Sequence, residues 1–470
     1  MSKAMSKSQL PRGERFLTRD PGFYKMFFRL LLVVTLQQLA TLAVNLADNI
    51  MLGRYSELSM SGATLVNQVQ FILQMTVGGV GTGVSVLGSQ YWGKQQTEPI
   101  RRIISVGVKL ALCFGLVFCL AGCLAPEAVV GIYTGDAAVI AEGAAYLRVI
   151  CWTYLIFSLS FTLMYSLQCV ETAFVGTVMS VTTIFVNIAL NYCLIYGNLG
   201  FPELGVRGAA VATLTSRCVE LAIILIYILF IDKKLRMRLR DVFGFDGGYL
   251  RDFLRTALPP VVTGFLWGVG QSAETAILGH LTATVIAANS IATVVSQIFK
   301  AMANASNIAA GVTMGKTVGQ GRFDAIRPYA RTLQTIFLCI GLITGAGLFF
   351  SREAIVSIYG ASPETGKLAS DFLLILSVTL VGTCYEFPTQ NGIIGGGGSP
   401  RYAAFCDNIF MWLFTIPLSA LAAFVWNAPP TVVFALLKAD QVLKSIPNSI
   451  VCNRYRWVKV LTREVPPDSA

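Results

Sequence analysis

Charge is scarce in this chain: 13% of its 470 residues are Asp, Glu, Lys or Arg, while 54% are hydrophobic. A soluble domain runs at about a quarter charged, so most of the surface must face something other than water. Histidine occurs once, at His280, which leaves little material for a histidine-based metal site or general acid–base catalysis. The eleven cysteines include no CxxC pair. Those inside apolar runs, such as Cys113, Cys119 and Cys123, read as small packing residues rather than ligands. The N-terminal segment lacks an apolar core followed by a small-residue cleavage site, so no removable signal peptide is expected. The glycine runs "GGVGTG" and "GGGG" lack both a strand-to-helix setting and a following Lys-Ser/Thr, which excludes a nucleotide loop.

What is present in quantity is apolar length. Segments able to cross about 30 Å of hydrocarbon recur at 25–43, 61–91, 102–124, 143–166, 174–196, 208–231, 253–279, 283–315, 330–350, 367–394, 402–426 and 428–452. They predict an all-α polytopic membrane protein of twelve transmembrane helices, since lipid admits only helices or closed barrels and a barrel would show short alternating segments. The net charge of +11 does not point to nucleic acid, because the basic residues are confined to particular loops. Lys3, Lys7, Arg12, Arg15, Arg19 and Lys25 precede the first span, Lys94, Arg101 and Arg102 follow the second, and Lys233, Lys234, Arg236, Arg238 and Arg240 follow the sixth. The alternate loops carry acids such as Glu127, Asp136 and Glu203. This bias predicts that both termini are cytoplasmic.

The chain is also written twice. A shift of 226 residues superposes Asp48 on Glu274 and "PEAVVGIY" (126–133) on "REAIVSIY" (352–359), and "GVSVLGSQYWGK" (83–94) is similar to "GVTMGKTVGQGR" (311–322) at a nearby shift. A repeat of six spans is even, so both copies enter the membrane from the same side, and a pseudo-two-fold along the membrane normal relates them. The expected organisation is a cytoplasmic N-terminal segment (1–24), an N-terminal six-helix lobe (25–231), a basic cytoplasmic linker (232–252), a C-terminal six-helix lobe (253–452) and a cytoplasmic tail (453–470). The linker needs no role beyond topology and contact with anionic lipid heads.

Polar residues within the spans are the candidates for function. Gln38, Thr41, Asn45 and Asp48 follow steps of three and four, so they share one helix face. A carboxylate near mid-membrane costs several kcal/mol by most estimates unless it is neutralised, paired or hydrated. Asp48 is therefore a functional candidate, the alternative being an acid that merely hydrogen-bonds neighbouring helices. Thr183, Asn187 and Asn191 make a similar face on the fifth span. Arg217 and Glu220, three apart on the sixth, read as a neutralising pair. In the second half, Ser290, Thr293, Gln297, Lys300, Asn304 and Asn307 form a stripe whose lysine needs a partner, for which Glu274 or Glu386 is available. Coupling or substrate roles for Glu274 and Lys300 stand beside a structural charge pair. Asp407, near Arg401, reads as structural.

The stretches "VNLADNIMLG", "GTGVSVLGSQYWGK", "NIALNYCLIYGNLGFPELGVRGAAVATLTSR" and "DNIFMWLFTIPLSALAAF" resemble the multidrug and toxic compound extrusion (MATE) transporters, nearest the DinF-like bacterial branch. The resemblance runs from about residue 25 to 460. It implies two six-helix lobes, alternating access, and export of amphipathic or cationic small molecules driven by H+ or Na+, with no other cofactor and no required oligomer. It also implies that Asp48, Asn187, Asn191 and Thr213 form the ion-coupling site, with Na+ at Asp48 if sodium is the driving ion. Gln38, Asn45, Glu274, Gln297, Lys300 and Glu386 are candidates for a substrate or second-lobe charge network. The sequence departs from the family in three ways: Asn191 stands where some relatives have an acid, Trp267 and Cys384 stand where the NorM-like branch has C-lobe acids, and Val33 stands where many have a proline. Pro259 and Pro260 place proline-dependent bending on the seventh span instead. Two other readings remain: a lipid-linked saccharide flippase of the same superfamily, which Lys300 keeps open, and, least supported, an integral-membrane enzyme.

Overall fold

A computed structural model describes residues 17–238, 241, 247–279, 281–358 and 362–463, so His280 lies outside the described residues. Every regular element among them is a helix. The first half runs α1 (Pro21–Tyr55), α2 (Glu57–Gly93), α3 (Thr97–Leu124), short α4 (Pro126–Gly131), α5 (Ala137–Ile150), α6 (Trp152–Cys169), α7 (Phe174–Tyr196) and α8 (Val206–Ile226). The second runs α9 (Gly247–Gly279), α10 (Ala283–Gly319), α11 (Phe323–Ile358), α12 (Pro363–Phe387), α13 (Pro400–Ile409), α14 (Ile416–Phe424), α15 (Pro430–Leu443) and α16 (Ser445–Arg454). Among the described residues three π-helical stretches depart from the regular geometry: Tyr227–Ile231 after α8, Pro388–Gly395 after α12 and Phe410–Thr415 between α13 and α14.

Among the described residues nine helices are individually long and apolar enough to cross a membrane, and the α5–α6 pair, bent by 51°, makes a tenth. The chain is thus an all-α multi-pass membrane protein. Two further expected spans, the seventh and the twelfth, are helical as α9 and as α15 with α16, yet fall outside that apolar set. The reason is composition: α9 carries Pro259, Pro260, Gln271 and Glu274, and α15 carries Lys438, Asp440 and Gln441. Such polar content inside a span marks a face turned to protein rather than lipid. The lipid-type surface is conspicuous elsewhere, with Phe185, Phe230 and Phe350 each more than 70% exposed.

Local chemistry sets the helix ends. The Asp136 carboxylate accepts from the amides of Ala138 and Val139 to open α5, and the Thr282 hydroxyl accepts from the Val285 amide to open α10. Ser362 followed by Pro363 starts α12. Gly197, at φ +68°, ends α7 in the left-handed conformation, and Gly205, at φ +56°, admits the chain to α8. The α7–α8 hairpin closes tightly because Gly208 has no side chain: a Cβ there would fall on the Leu194 carbonyl.

The chain forms two compact units, one of Leu36–Gly88 and Thr97–Phe265, the other of Met1–Thr35, Ser89–Gln96 and Leu266–Ala470. They are called the N-terminal and C-terminal bundles below. The C-terminal bundle has an apolar core from α9, α10, α12 and α15, with the Phe372 and Phe434 rings stacked 4.1 Å apart. The start of α1 packs into this same bundle, Phe23 against Tyr329 and Phe27 against Phe337. In the N-terminal bundle α7 packs on α8, and α5 and α6 pack against α8, which brings the polar faces of four helices together.

Candidate ion-coupling site and a second buried charge network

Within the N-terminal bundle the expected polar faces meet. The Asn191 Nδ2 group donates to Asp48 Oδ1 at 2.5 Å and to Asn187 Oδ1 at 3.1 Å, and Asn187 Nδ2 donates to Thr213 Oγ1 at 3.4 Å. Because Asn187 and Asn191 are one turn apart on α7, the two amides stack along its inner face. Both are fully buried. The Asn191 carbonyl oxygen is buried with no hydrogen-bond partner among the described residues. An unsatisfied acceptor there costs about 1–3 kcal/mol, and it sits beside a carboxylate. Buried Tyr146 of α5 faces the same cluster, its hydroxyl toward Thr213 and Asp48.

Among the described residues no lysine or arginine lies within ion-pairing distance of Asp48. Arg217 is instead engaged by Glu220, 2.5 Å away, as the i,i+3 spacing predicts. Its guanidinium lies 5.4 Å from the Phe157 ring, and the Ser160 hydroxyl donates to Glu220 at 2.8 Å. The site is therefore a carboxylate ringed by amides and hydroxyls. Such hard oxygen donors suit a proton or a small alkali cation and not a soft metal. Gln38 is half-buried on α1, and Asn45 lies on the same helix with its side chain outside the described ones. Gln37, one residue from the predicted stripe, is the buried glutamine, its side-chain nitrogen against Met164 Sδ. Tyr146 was not legible in the sequence, since nothing in the pattern of α5 distinguishes it from a core aromatic.

The C-terminal bundle corrects one expectation. Neither Glu274 nor Glu386 is paired with Lys300: Glu274 lies 2.5 Å from Lys438, and Glu386 3.6 Å from Lys444. Both lysines come from the twelfth span; the Glu386–Lys444 pair is buried, while buried Glu274 meets a half-buried Lys438. Two cations on a facing helix thus take the acids that Lys300 had been expected to use. Lys444 gathers three carboxylates, with Asp407 at 3.0 Å and Asp440 at 3.1 Å besides Glu386. Asp407 accordingly pairs with Lys444, while Arg401 is exposed. Asn448 extends the network, donating to Gln390 at 2.7 Å and to Glu386 at 3.5 Å, and accepting from the Tyr402 hydroxyl at 3.0 Å. Lys300 is half-buried and forms no ion pair among the described residues; on its stripe Ser290, Thr293 and Gln297 are exposed, and Asn304 and Asn307 half-buried.

The MatE family model matches this chain twice, at residues 34–193 and 259–421, once in each half as the internal repeat requires. A protein of Thermotoga maritima named probable multidrug resistance protein NorM is 24% identical over 471 residues, with 99% of each chain covered. An uncharacterized transporter of Bacillus subtilis, YisQ, is 23% identical over 80% of this chain and 82% of its own. Among solved structures, a MATE protein in complex with MaL6 has a TM-score of 0.82 at 19% identity, covering 94% of this chain and 98% of its own. A MOP superfamily transporter from Pyrococcus furiosus, reported to have a binding pocket of reverse polarity, has a TM-score of 0.83 at 19% identity, covering 95% of this chain and 98% of its own. The double match to one family model, along most of the chain, places this protein in the MatE family, the multidrug and toxic compound extrusion transporters.

Proposed function

We propose that the protein is a cation-coupled antiporter that exports amphipathic or cationic small molecules across a bacterial inner membrane by alternating access. In this reading H+ or Na+ binds at Asp48, with Asn187, Asn191 and Thr213 completing the site. One observation carries it: a carboxylate inside a membrane bundle accepts hydrogen bonds from neutral amides, forms no ion pair among the described residues although the Arg217 charge reaches it, and lies beside an unsatisfied carbonyl oxygen. A site of that kind gains most from a small positive charge, and exchanging that charge for substrate requires only that its affinity differ between two conformations. The relatives support export, since several are named as multidrug resistance proteins. They do not favour the flippase alternative.

In the second bundle, Glu274 and Glu386 serve as structural ion-pair partners, while Gln297 and Lys300 remain the candidates for substrate contact. The basic loops support a cytoplasmic position for both termini. The test is efflux from vesicles containing the purified protein and a fluorescent organic cation, with Na+ and proton gradients imposed separately. Efflux under one gradient supports the coupling and names the ion; efflux that ignores both gradients contradicts it.

A further inference from the structure

Elsewhere in the N-terminal bundle, three cysteines that read in the sequence as packing residues come together. Cys119 and Cys123 are one turn apart on α3, and Cys151 stands at the bend between α5 and α6. Their three sulfurs all lie within 4.8 Å of one another, and Cys123 Sγ is 3.2 Å from Cys151 Sγ. Metal–sulfur bonds of about 2.3 Å require sulfurs about 3.8–4.0 Å apart in tetrahedral or trigonal geometry. Side-chain rotation of under an ångström therefore converts this cluster to a ligand set.

Two other features bear on the same place. Gly122 lets α3 approach so closely that a Cβ there would lie 2.8 Å from the Cβ of Cys151, and this contact is what brings the thiols into range. The Tyr154 hydroxyl is fully buried with no hydrogen-bond partner among the described residues, within electrostatic reach of Cys151 and Cys119. A buried donor without an acceptor is costly, and a thiolate is an acceptor. Cys119 and Cys151 are buried while Cys123 is half-buried one residue before the end of α3, which leaves an approach from that side.

We propose that Cys119, Cys123 and Cys151 form a three-thiolate site for a thiophilic d10 metal ion, of the zinc or monovalent copper class, at the end of the bundle opposite the basic loops. Thiolates select such ions over the hard cations suited to the Asp48 site. Binding forms up to three metal–sulfur bonds and releases the corresponding thiol protons to solvent, with no change of oxidation state. The bound ion ties the end of α3 to the α5–α6 bend and so stiffens that end of the bundle.

The test is a titration of the reduced, metal-free full-length protein in detergent with Cd2+ as the probe, following the thiolate-to-metal charge-transfer band and alkylation of Cys123. The expected result is one equivalent bound, Cys123 protected, and the same band absent from Cys123→Ser and Cys151→Ser. Affinity in each variant falls by at least the roughly 10- to 100-fold that loss of even an outer-shell partner costs a metal site. Cys113→Ser, on the same helix but outside the cluster, leaves the band unchanged, and thermal unfolding without metal shows whether each variant is folded. A folded triple Cys→Ala variant that binds Cd2+ as the parent does overturns the proposal. So does a parent that shows no band, or one whose Cys123 and Cys151 close to a disulfide on mild oxidation while the reduced form takes up no metal.

Discussion

Asp48 and Glu274 occupy equivalent places in the two repeats and have opposite surroundings. Asp48 is held by an asparagine amide, and Glu274 is locked 2.5 Å from the Lys438 ammonium. An ammonium that close competes with any mobile cation for the same carboxylate, which favours the proposed structural role of Glu274. Removing one member strands the other: Glu274→Gln leaves the half-buried Lys438 without its carboxylate, at a cost of about 3 kcal/mol, the low end for a buried pair. The double substitution Glu274→Gln with Lys438→Met recovers most of that loss. Chemical or thermal unfolding in detergent of the two singles and the double measures the cycle. A Glu274→Gln variant as stable as the parent contradicts the assignment. The shared face of Asn187 and Asn191, which meets Asp48, was legible because residues three and four apart share a helix face. The partner of Lys300 was not, because periodicity tells which face of a helix is polar and not which face of another helix it meets.

At the scale of elements, two contacts inside single bundles decide how helices are fixed. The α7–α8 hairpin, which sets Asn187 opposite Thr213, depends on the missing side chain at Gly208. Gly208→Ala puts a methyl group on the Leu194 carbonyl and is expected to destabilise the protein by about 1–3 kcal/mol despite the better helix propensity of alanine. Lowered thermal stability together with weakened ion binding checks this, and an unchanged melting temperature refutes it.

The start of α1 is tied to α11 by Asp20, whose carboxylate accepts from the Tyr329 hydroxyl and faces Arg322 at 3.7 Å. The Tyr329 hydroxyl, with the Gly22 and Phe23 amides and the Arg322 charge, holds the Asp20 carboxyl below its ordinary value of 3.8 against the opposing effect of burial. Since the folded-state value is the lower one, the stability it supplies is complete above the ordinary value and is lost as pH falls through the folded value. Asp20→Asn removes that part of the acid-side dependence. Unfolding followed between neutral pH and pH about 3 should show a smaller loss in the variant than in the parent, and identical pH profiles would count against the contact. Neither contact was visible in the sequence, where Gly208 is one glycine among 43 and Asp20 lies in a stretch dominated by basic residues.

For the molecule as a whole, duplication explains both what was legible and what was not. Internal duplication, helical class and membrane residence follow from the 226-residue echo and the apolar spans, and the double family match agrees with the duplication. The seventh and twelfth spans are less apolar than the rest because they carry the charges of the second bundle, Glu274 on one and Lys438, Asp440 and Lys444 on the other. Divergence between copies is the part a repeat cannot report. Of the two repeat-equivalent acids, only the N-terminal one forms no ion pair among the described residues, Arg217 being engaged by Glu220. The proposed coupling therefore rests on the N-terminal bundle alone.

That assignment is tested most directly by comparing Asp48→Asn with the parent protein in the same vesicles, measuring both gradient-driven efflux and substrate exchange in the absence of any ion gradient. The account predicts that the variant loses gradient-driven accumulation while still exchanging substrate down its own concentration difference. A folded Asp48→Asn protein that accumulates substrate against its gradient as well as the parent does would contradict it.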